Sequence, residues 1–398
     1  MREDLDAILA ENDVEALLLY SDSYRDANIY YLTKFLAPDP FIFLKRVDAD
    51  PVIVVNQMEY PRAQKQSIIK TVKSHLDYYN YYLEILKNAK DPQLGALKFG
   101  AKIVEKELGT GTKICVPHNF PVKAADVLRE EGLTIKPMFG VVEKARETKD
   151  VHEVEEIKAV QAVIEEVTTE AIELIANSDV SSNGTLHFNG EPLTVSRIKS
   201  FFGSKLLENG CLPEEDIIVA CGTKSSDPHY VGEPEDKLKA GQPIVLDVYP
   251  RSIQKRYWSD MTRTIVKGRA SDKLKKMFDT VSEAKNASLD AIQAGALGSH
   301  VYDVCCDVLE KAGYETTRGG KKITKGMTHS LGHGVGLQIH ESPRLSELST
   351  SPLKEHNIVT VEPGLYDPQI GGVRLEDIIE VTKSGYNNLT KMEIQLEI

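Results

Sequence analysis

No long run of lysine or arginine occurs in the 398 residues; Lys273-Leu274-Lys275-Lys276 is short and suits a solvated helix face. Acids outnumber bases, 60 Asp and Glu against 48 Lys and Arg, for a formal net charge of −12. A polyanion is a poor partner for such a surface, so nucleic-acid binding is not expected. No apolar stretch approaches the ~18–20 residues of a membrane span. The opening, Met1-Arg2-Glu3-Asp4-Leu5-Asp6, is acidic and lacks the apolar core of a signal peptide. Cysteine is scarce: five residues, an odd number, at no metal-like spacing. They read as reduced thiols of a cytoplasmic protein, with Cys305-Cys306 as core residues of a helical run. No internal repeat with a period of about 20–50 residues is visible.

What is present is hydrophobic pattern. At 41% hydrophobic residues the chain can build roughly two to three domains with their own cores. Residues 1–148 alternate apolar β-rich runs (16–20, 41–44, 52–55, 113–116, 135–139) with helical patterns (2–12, 94–108, 122–131), which predicts an α/β domain with a helix-covered sheet. His75 and His118 stand alone there and read as structural, and the tyrosines of 78–82 as packing or an interface. Asp150-Val151-His152-Glu153 predicts a capped helix start, and apolar residues then recur at helical spacing to about Asn177. A second helix is expected over 193–209, strands over 217–221, 243–249 and 257–267, helices over 272–294 and 300–312, and strands near 358–362 and 373–381.

The chemistry sits on those later strands. Pro243-Ile244-Val245-Leu246-Asp247-Val248-Tyr249 and Trp258-Ser259-Asp260-Met261-Thr262-Arg263-Thr264 each carry one aspartate in an apolar run, thirteen residues apart. A carboxylate in a core is costly without a positive partner, and a metal ion is the first candidate. If the two runs pair, both acids face one pocket, and the charged loop over 250–256 projects into solvent. Alternation also puts Arg374 and Glu376 on one strand face. Glu362 ends an apolar strand, and His333 stands between Gly332 and Gly334. Four carboxylates and one histidine suit Mn²⁺, Fe²⁺ or Co²⁺, with Zn²⁺ possible. They exceed the charge of one dication, so two metals about 3.5 Å apart match better. Each piece alone is weak: the glycine run lacks dinucleotide-loop spacing, and the glycines argue against a zinc helix through His329 and His333.

In combination these residues resemble the "pita-bread" metallopeptidases, namely methionine aminopeptidase, aminopeptidase P and prolidase. The strings that carry the resemblance are Gly241-Gln242-Pro243-Ile244-Val245-Leu246-Asp247, Ser259-Asp260-Met261-Thr262-Arg263-Thr264, Gly332-His333-Gly334-Val335-Gly336, Ile339-His340-Glu341-Ser342-Pro343, Val361-Glu362-Pro363-Gly364 and Arg374-Leu375-Glu376-Asp377. They span about residues 145–398. The first half, including Asn28-Ile29-Tyr30-Tyr31-Leu32-Thr33-Lys34-Phe35, is similar to the extra domain of the prolidase and aminopeptidase P branch, which methionine aminopeptidases lack. The resemblance implies a ribonuclease H-like α/β N-terminal domain of creatinase/prolidase type over 1–148 and an α+β pita-bread catalytic domain over 149–398. It implies two divalent metal ions, Mn²⁺ first, held by Asp247, Asp260, His333, Glu362 and Glu376, with Asp260 and Glu376 bridging. It implies Glu362 as general base toward a metal-bridging hydroxide, and His229 and His340 beside the scissile peptide. Arg374 would order the site, His329 would line the substrate pocket, and Arg344 would take a substrate carboxylate. The expected substrates are small peptides with proline second, cleaved as by aminopeptidase P or, alternatively, as by prolidase on dipeptides. A homodimer is expected from the same resemblance.

There are departures. The family usually has a shorter Asp–Asp connection and a glycine soon after the first Asp, where this chain has Val248-Tyr249-Pro250-Arg251-Ser252. The rim of the pocket, and with it substrate preference, is where a difference is expected. Two other readings of the fold, a creatinase-like C–N hydrolase without metal and a non-catalytic binding module, belong to relatives with degraded ligand sets; all five ligands are present here.

Overall fold

The structure, a computed structural model, describes residues 4–398. It divides into two compact units, one ending at Arg146 and one spanning Glu147–Ile398.

The first unit is the α/β domain expected from the alternating runs. Strands β1 (Ala16–Ser21), β2 (Phe41–Arg46), β3 (Val52–Val55), β4 (Thr71–Ser74), β5 (Lys113–Pro117) and β6 (Thr134–Met138) form one sheet in the order β4-β3-β2-β1-β5-β6. The β1–β2 and β2–β3 pairs are antiparallel; β3–β4, β1–β5 and β5–β6 are parallel. Alternate residues enter two cores: Leu17, Leu19, Phe43 and Ile53 on one face, Ala16, Leu18, Ile42 and Leu44 on the other. That is why β1 reads as an unbroken apolar run. Helices α1 (Asp4–Glu11), α2 (Ala27–Thr33), α3 (Tyr60–Gln66), α4 (Tyr79–Asn88), α5 (Pro92–Leu108), α6 (Val122–Glu130) and α7 (Val141–Glu147) accompany the sheet. The first two residues of the helix expected over 2–12 lie outside the described residues. His75 meets the Tyr82 ring and His118 stacks on Phe139, so both do packing work.

The second unit opens with α8 (Val151–Ala176), whose start carries the expected reciprocal cap between Asp150 and Glu153. After a small sheet of β7 (Asp179–Val180), β8 (Leu186–Phe188) and β9 (Glu191–Pro192) comes α9 (Val195–Glu208). β10 (Cys211–Leu212), β11 (Ile218–Cys221), β12 (Ile244–Val248), β13 (Arg251–Ser252) and β14 (Met261–Ile265) follow, then α10 (Asp272–Asp290) and α11 (Gly298–Lys311). The chain ends in β15 (Gly332–Gly334), β16 (Glu341–Leu345), β17 (Ile358–Val361), β18 (Gly364–Asp367), β19 (Gly371–Arg374), β20 (Asp377–Thr382) and β21 (Gly385–Asn388). The principal sheets are β11-β12-β14 and β16-β15-β17-β20-β21. Helices α8 and α9 bury Val160, Ile164, Ile198 and Phe202 against Ile244, Leu246 and Val248 of β12. Helices α10 and α11 bury Leu274, Val281, Val301 and Leu309 against Val359, Val361 and Val373. Each such side chain contributes roughly 1.5–3 kcal/mol on burial. Cys305 and Cys306 lie in this second core, and no cysteine is paired. Helices thus cover one face of each sheet, an α+β layout, and the opposite faces are left for a site. Among the described residues no helix is long and apolar enough to cross a membrane.

Candidate metal centre

β12 and β14 pair antiparallel, with Asp247 opposite Thr262. Ile244, Leu246 and Val248 face the helix-covered core, so Val245 and Asp247 face the other way. Asp260 immediately precedes β14. The connection between the two acids differs from the solvent-projecting loop expected: Gln254 and Lys255 are exposed, but Arg251 and Arg256 are buried. β13 pairs with β10, and both arginines meet Glu214, Arg256 at 3.8 Å. A counter-charge from far upstream in the chain draws the loop inward, and local pattern cannot show that.

The glycines around His333 serve strand approach. A Cβ on Gly332 would lie 2.0 Å from the Thr360 carbonyl oxygen, and one on Gly334 2.4 Å from that of Ser342. β15 therefore fits only as glycine–histidine–glycine between β16 and β17, and the spacing of His329 and His333 is not helical. His333 pairs with Arg344 across the ladder, which brings Arg344 to the same face. The strand expected over 373–381 is two strands, broken at Leu375-Glu376. Its alternation survives the break. Arg374 and Glu376 turn to the cavity, Val373 and Leu375 enter the core, and Asp377 takes Arg263 (3.0 Å) and Lys285 on the far side.

One cavity of about 420 Å³ is lined by all five expected metal ligands together with His229, His329, His340, Arg344 and Arg374. Asp247, Asp260, His333 and Glu376 are buried, while Glu362 is only partly so. Donor atoms of Asp260, His333 and Glu376 lie within 4.8 Å of one another. His333 Nε2 stands 3.3 Å from Glu362 and 3.7 Å from Asp260. Its Nδ1 is 3.1 Å from the Gly334 carbonyl oxygen, so Nδ1 carries the proton and Nε2 keeps its lone pair toward the acids. Arg374 donates to one oxygen of Asp247, and Thr262 Oγ1 to one oxygen of Glu376 at 2.8 Å. The other oxygens of these acids, Asp247 Oδ1 and Glu376 Oε1, and Asp260 Oδ1 as well, are buried with no hydrogen-bond partner. Buried acceptors without donors are costly. Oxygens left this way around a neutral imidazole fit a pair of divalent cations.

The electrostatics agree. Burial raises the Asp260 carboxyl, and the charges of Glu376 and Asp247 raise it further. Burial also raises Glu376 well above the carboxylate range, helped by Glu362 and Asp247. Glu362 is pushed up to about 8 by burial, against the pull of Arg374. Burial lowers His333 to about 3 and His329 to about 4, so both are neutral near pH 7. Burial and the Arg344 charge lower His340. His340 is exposed beside His333, the rings edge-to-face at 4.4 Å. His229 is exposed on a loop whose Pro228 carbonyl accepts from Arg374 at 3.4 Å.

Sequence reasoning missed several residues of the site. Tyr366 accepts from Arg374 at 2.9 Å and donates to His329 Nε2 at 2.8 Å, linking two expected residues. Thr262 also accepts from Arg374 Nε at 3.2 Å. Tyr249 lines the cavity just past the end of β12, and its position two residues after Asp247 in the apolar run was the available signal. Glu215 lines it too, and nothing local sets it apart from its acidic neighbours.

Comparison with known proteins gives the same two parts. The family model for metallopeptidase family M24 matches residues 150–383, and that for the creatinase/prolidase N-terminal domain matches residues 1–148. A protein of Pyrococcus furiosus named Xaa-Pro dipeptidase is 30% identical over 99% of this chain and 98% of its own length. Among solved structures, the Xaa-Pro dipeptidase from Bacillus anthracis superposes with a TM-score of 0.81 at 26% identity, covering 100% of this chain and 98% of that one. An X-Pro aminopeptidase from Thermotoga maritima has a TM-score of 0.79 at 22% identity over the whole of both chains, a likeness of fold alone.

Proposed function

This chain belongs to metallopeptidase family M24, and from that premise we propose that it hydrolyses the peptide bond between an N-terminal residue and proline with two divalent metal ions. The observation that carries the reading is one cavity lined by three buried acids, each with an oxygen lacking any donor, two of which, Asp260 and Glu376, bring a ligand atom within 4.8 Å of His333. In this reading residues 1–148 are the N-terminal domain and 149–398 the catalytic domain.

Asp247, Asp260, His333, Glu362 and Glu376 would hold the ions. Bound, two such ions supply the positive charge these acids call for and make a water acidic near neutral pH. The chain's own residues do the rest. Arg374 fixes Asp247, and Thr262 fixes Glu376. Glu362, the least buried of the four acids, takes the proton of the attacking water. His340 donates to the carbonyl oxygen as it gains charge, and His229 stands on the side of the departing proline. Tyr366 keeps His329 oriented in the pocket wall. Mn²⁺ is the proposed ion, from the oxygen-rich ligand set. A homodimer is proposed on family resemblance, and a cytoplasmic location on the unpaired thiols.

Two versions differ in substrate length. Relatives named Xaa-Pro dipeptidase that match the whole chain favour dipeptides, and so does Arg344, an exposed cation at the cavity wall suited to a proline carboxylate. The aminopeptidase version takes longer peptides. Arg344→Ala is expected to lower kcat/KM for Ala-Pro by roughly tenfold to hundredfold, the scale of a hydrogen bond to a charged group, and to affect Ala-Pro-Ala less. Equal losses on both peptides remove that role. Hydrolysis of Ala-Pro beside Ala-Pro-Ala by the Mn²⁺-loaded protein separates the versions: dipeptide alone means dipeptidase, and tripeptide cleavage means aminopeptidase. Cleavage of neither sinks proline specificity.

A further inference from the structure

The loop between β10 and β11 carries three consecutive acids, and two of them are committed. Glu214 pairs with Arg251 and has Arg256 at 3.8 Å. Asp216 takes Lys199 on its carboxylate at 2.7 Å and the Tyr249 hydroxyl on its carbonyl at 2.5 Å. Glu215 lies between them, exposed, with no hydrogen bond or ion pair among the described residues, and it lines the metal cavity. Its charge acts on Tyr249 and on His340. Three of the residues that pin the loop, Tyr249, Arg251 and Arg256, come from the connection between Asp247 and Asp260. That connection folds inward and builds a support that presents Glu215 at the cavity mouth.

A charge held there must meet some part of the substrate. The α-amino nitrogen of the first residue is two bonds from the carbonyl carbon under attack, roughly 2.5 Å away, so it stays beside the buried acids. An exposed residue at the mouth meets what extends farther: the side chain of the first residue, or the chain beyond the scissile bond. The latter ends in a carboxylate, which Glu215 repels and Arg344, the exposed cation of the same wall, attracts. We propose that Glu215 sets specificity for the first residue and favours peptides that begin with lysine or arginine. This rests on the Xaa-Pro peptidase reading.

The test measures kcat/KM for Lys-Pro, Ala-Pro and Glu-Pro with the Mn²⁺-loaded wild type, Glu215→Gln and Glu215→Lys. The expected wild-type order is Lys-Pro, Ala-Pro, Glu-Pro. Glu215→Gln lowers the Lys-Pro to Ala-Pro ratio roughly threefold to fivefold, the scale of one exposed ion pair. Glu215→Lys lowers it further and raises Glu-Pro relative to Ala-Pro. Added salt shrinks the wild-type preference by screening. If the ratio is the same in all three proteins while the wild type cleaves Ala-Pro, the specificity role is wrong and the peptidase reading stands. If the wild type cleaves none of the three, that reading fails and the inference goes with it.

Discussion

Glu362→Gln is expected to lower kcat for an Xaa-Pro dipeptide by roughly 10²–10⁴-fold, the contribution of one positioned proton-transfer group. Glutamine keeps the size and the hydrogen-bonding oxygen but cannot accept a proton. Glu362 is the candidate because of where it stands. Its side chain is 17% exposed, against 7% for Asp260 and 11% for Asp247, so it faces the open cavity while the others are enclosed. Thr360 Oγ1 contacts it at 3.3 Å and Arg374 draws on its charge, which holds the carboxyl in place without neutralising it. The loss should fall on kcat more than on KM, because proton transfer is made in the transition state. Steady-state kinetics with metal content measured on the same sample checks this. A variant with a full metal complement and more than about a tenth of wild-type kcat contradicts the assignment.

Asp260→Asn is expected to act in opposite directions on stability and on function. In the metal-free protein, burial and mutual charge raise the Asp260, Glu362 and Glu376 carboxyls above their unfolded values. A group raised in the folded state contributes stability that is fully present below its unfolded value, roughly pH 4, and is lost as pH rises through the folded one. The metal-free protein should therefore lose stability from about pH 4 up to the raised values, which for Glu362 is about 8. Divalent ions should restore it most at the alkaline end, where the ligands are deprotonated. Removing the Asp260 charge relieves part of the repulsion. At pH 8 the metal-free variant should melt higher than wild type, by about 2–4 °C for each kcal/mol relieved. Its gain in melting temperature on adding Mn²⁺ should shrink, and turnover should be lost with the proposed ligand. Thermal melts at pH 5.5 and pH 8, with and without Mn²⁺, check all of this. A metal-free variant that melts lower than wild type at pH 8 and keeps the full Mn²⁺ gain contradicts the site.

Much of this was legible in the sequence because the proposed ligands sit on strands or next to their ends, where alternation guides which way a side chain faces. Alternation put Arg374 and Glu376 on one face, and it brought the two aspartates to one pocket on the condition that their strands pair, as β12 and β14 do. The capped start of α8 was legible from Asp150 and Glu153. In the first unit β4, α2 and α3 were not, being four to seven residues long with no clear period of their own. The inward fold of the Asp247–Asp260 connection was missed because its cause, Glu214, is remote in sequence. Arg344 reaches the site through its register with His333. Tyr366 enters by joining Arg374 to His329. Both depend on how the chain folds back, which spacing alone does not reveal.

The most direct test of a two-metal Xaa-Pro peptidase is the hydrolysis of Ala-Pro beside Ala-Ala by purified protein stripped with a chelator and then titrated with Mn²⁺, with bound metal counted at each point. The expected result is no turnover after stripping, activity that rises to a plateau at two equivalents, and cleavage of Ala-Pro far ahead of Ala-Ala. Full activity in the stripped protein, or equal cleavage of the two dipeptides at saturation, would contradict it.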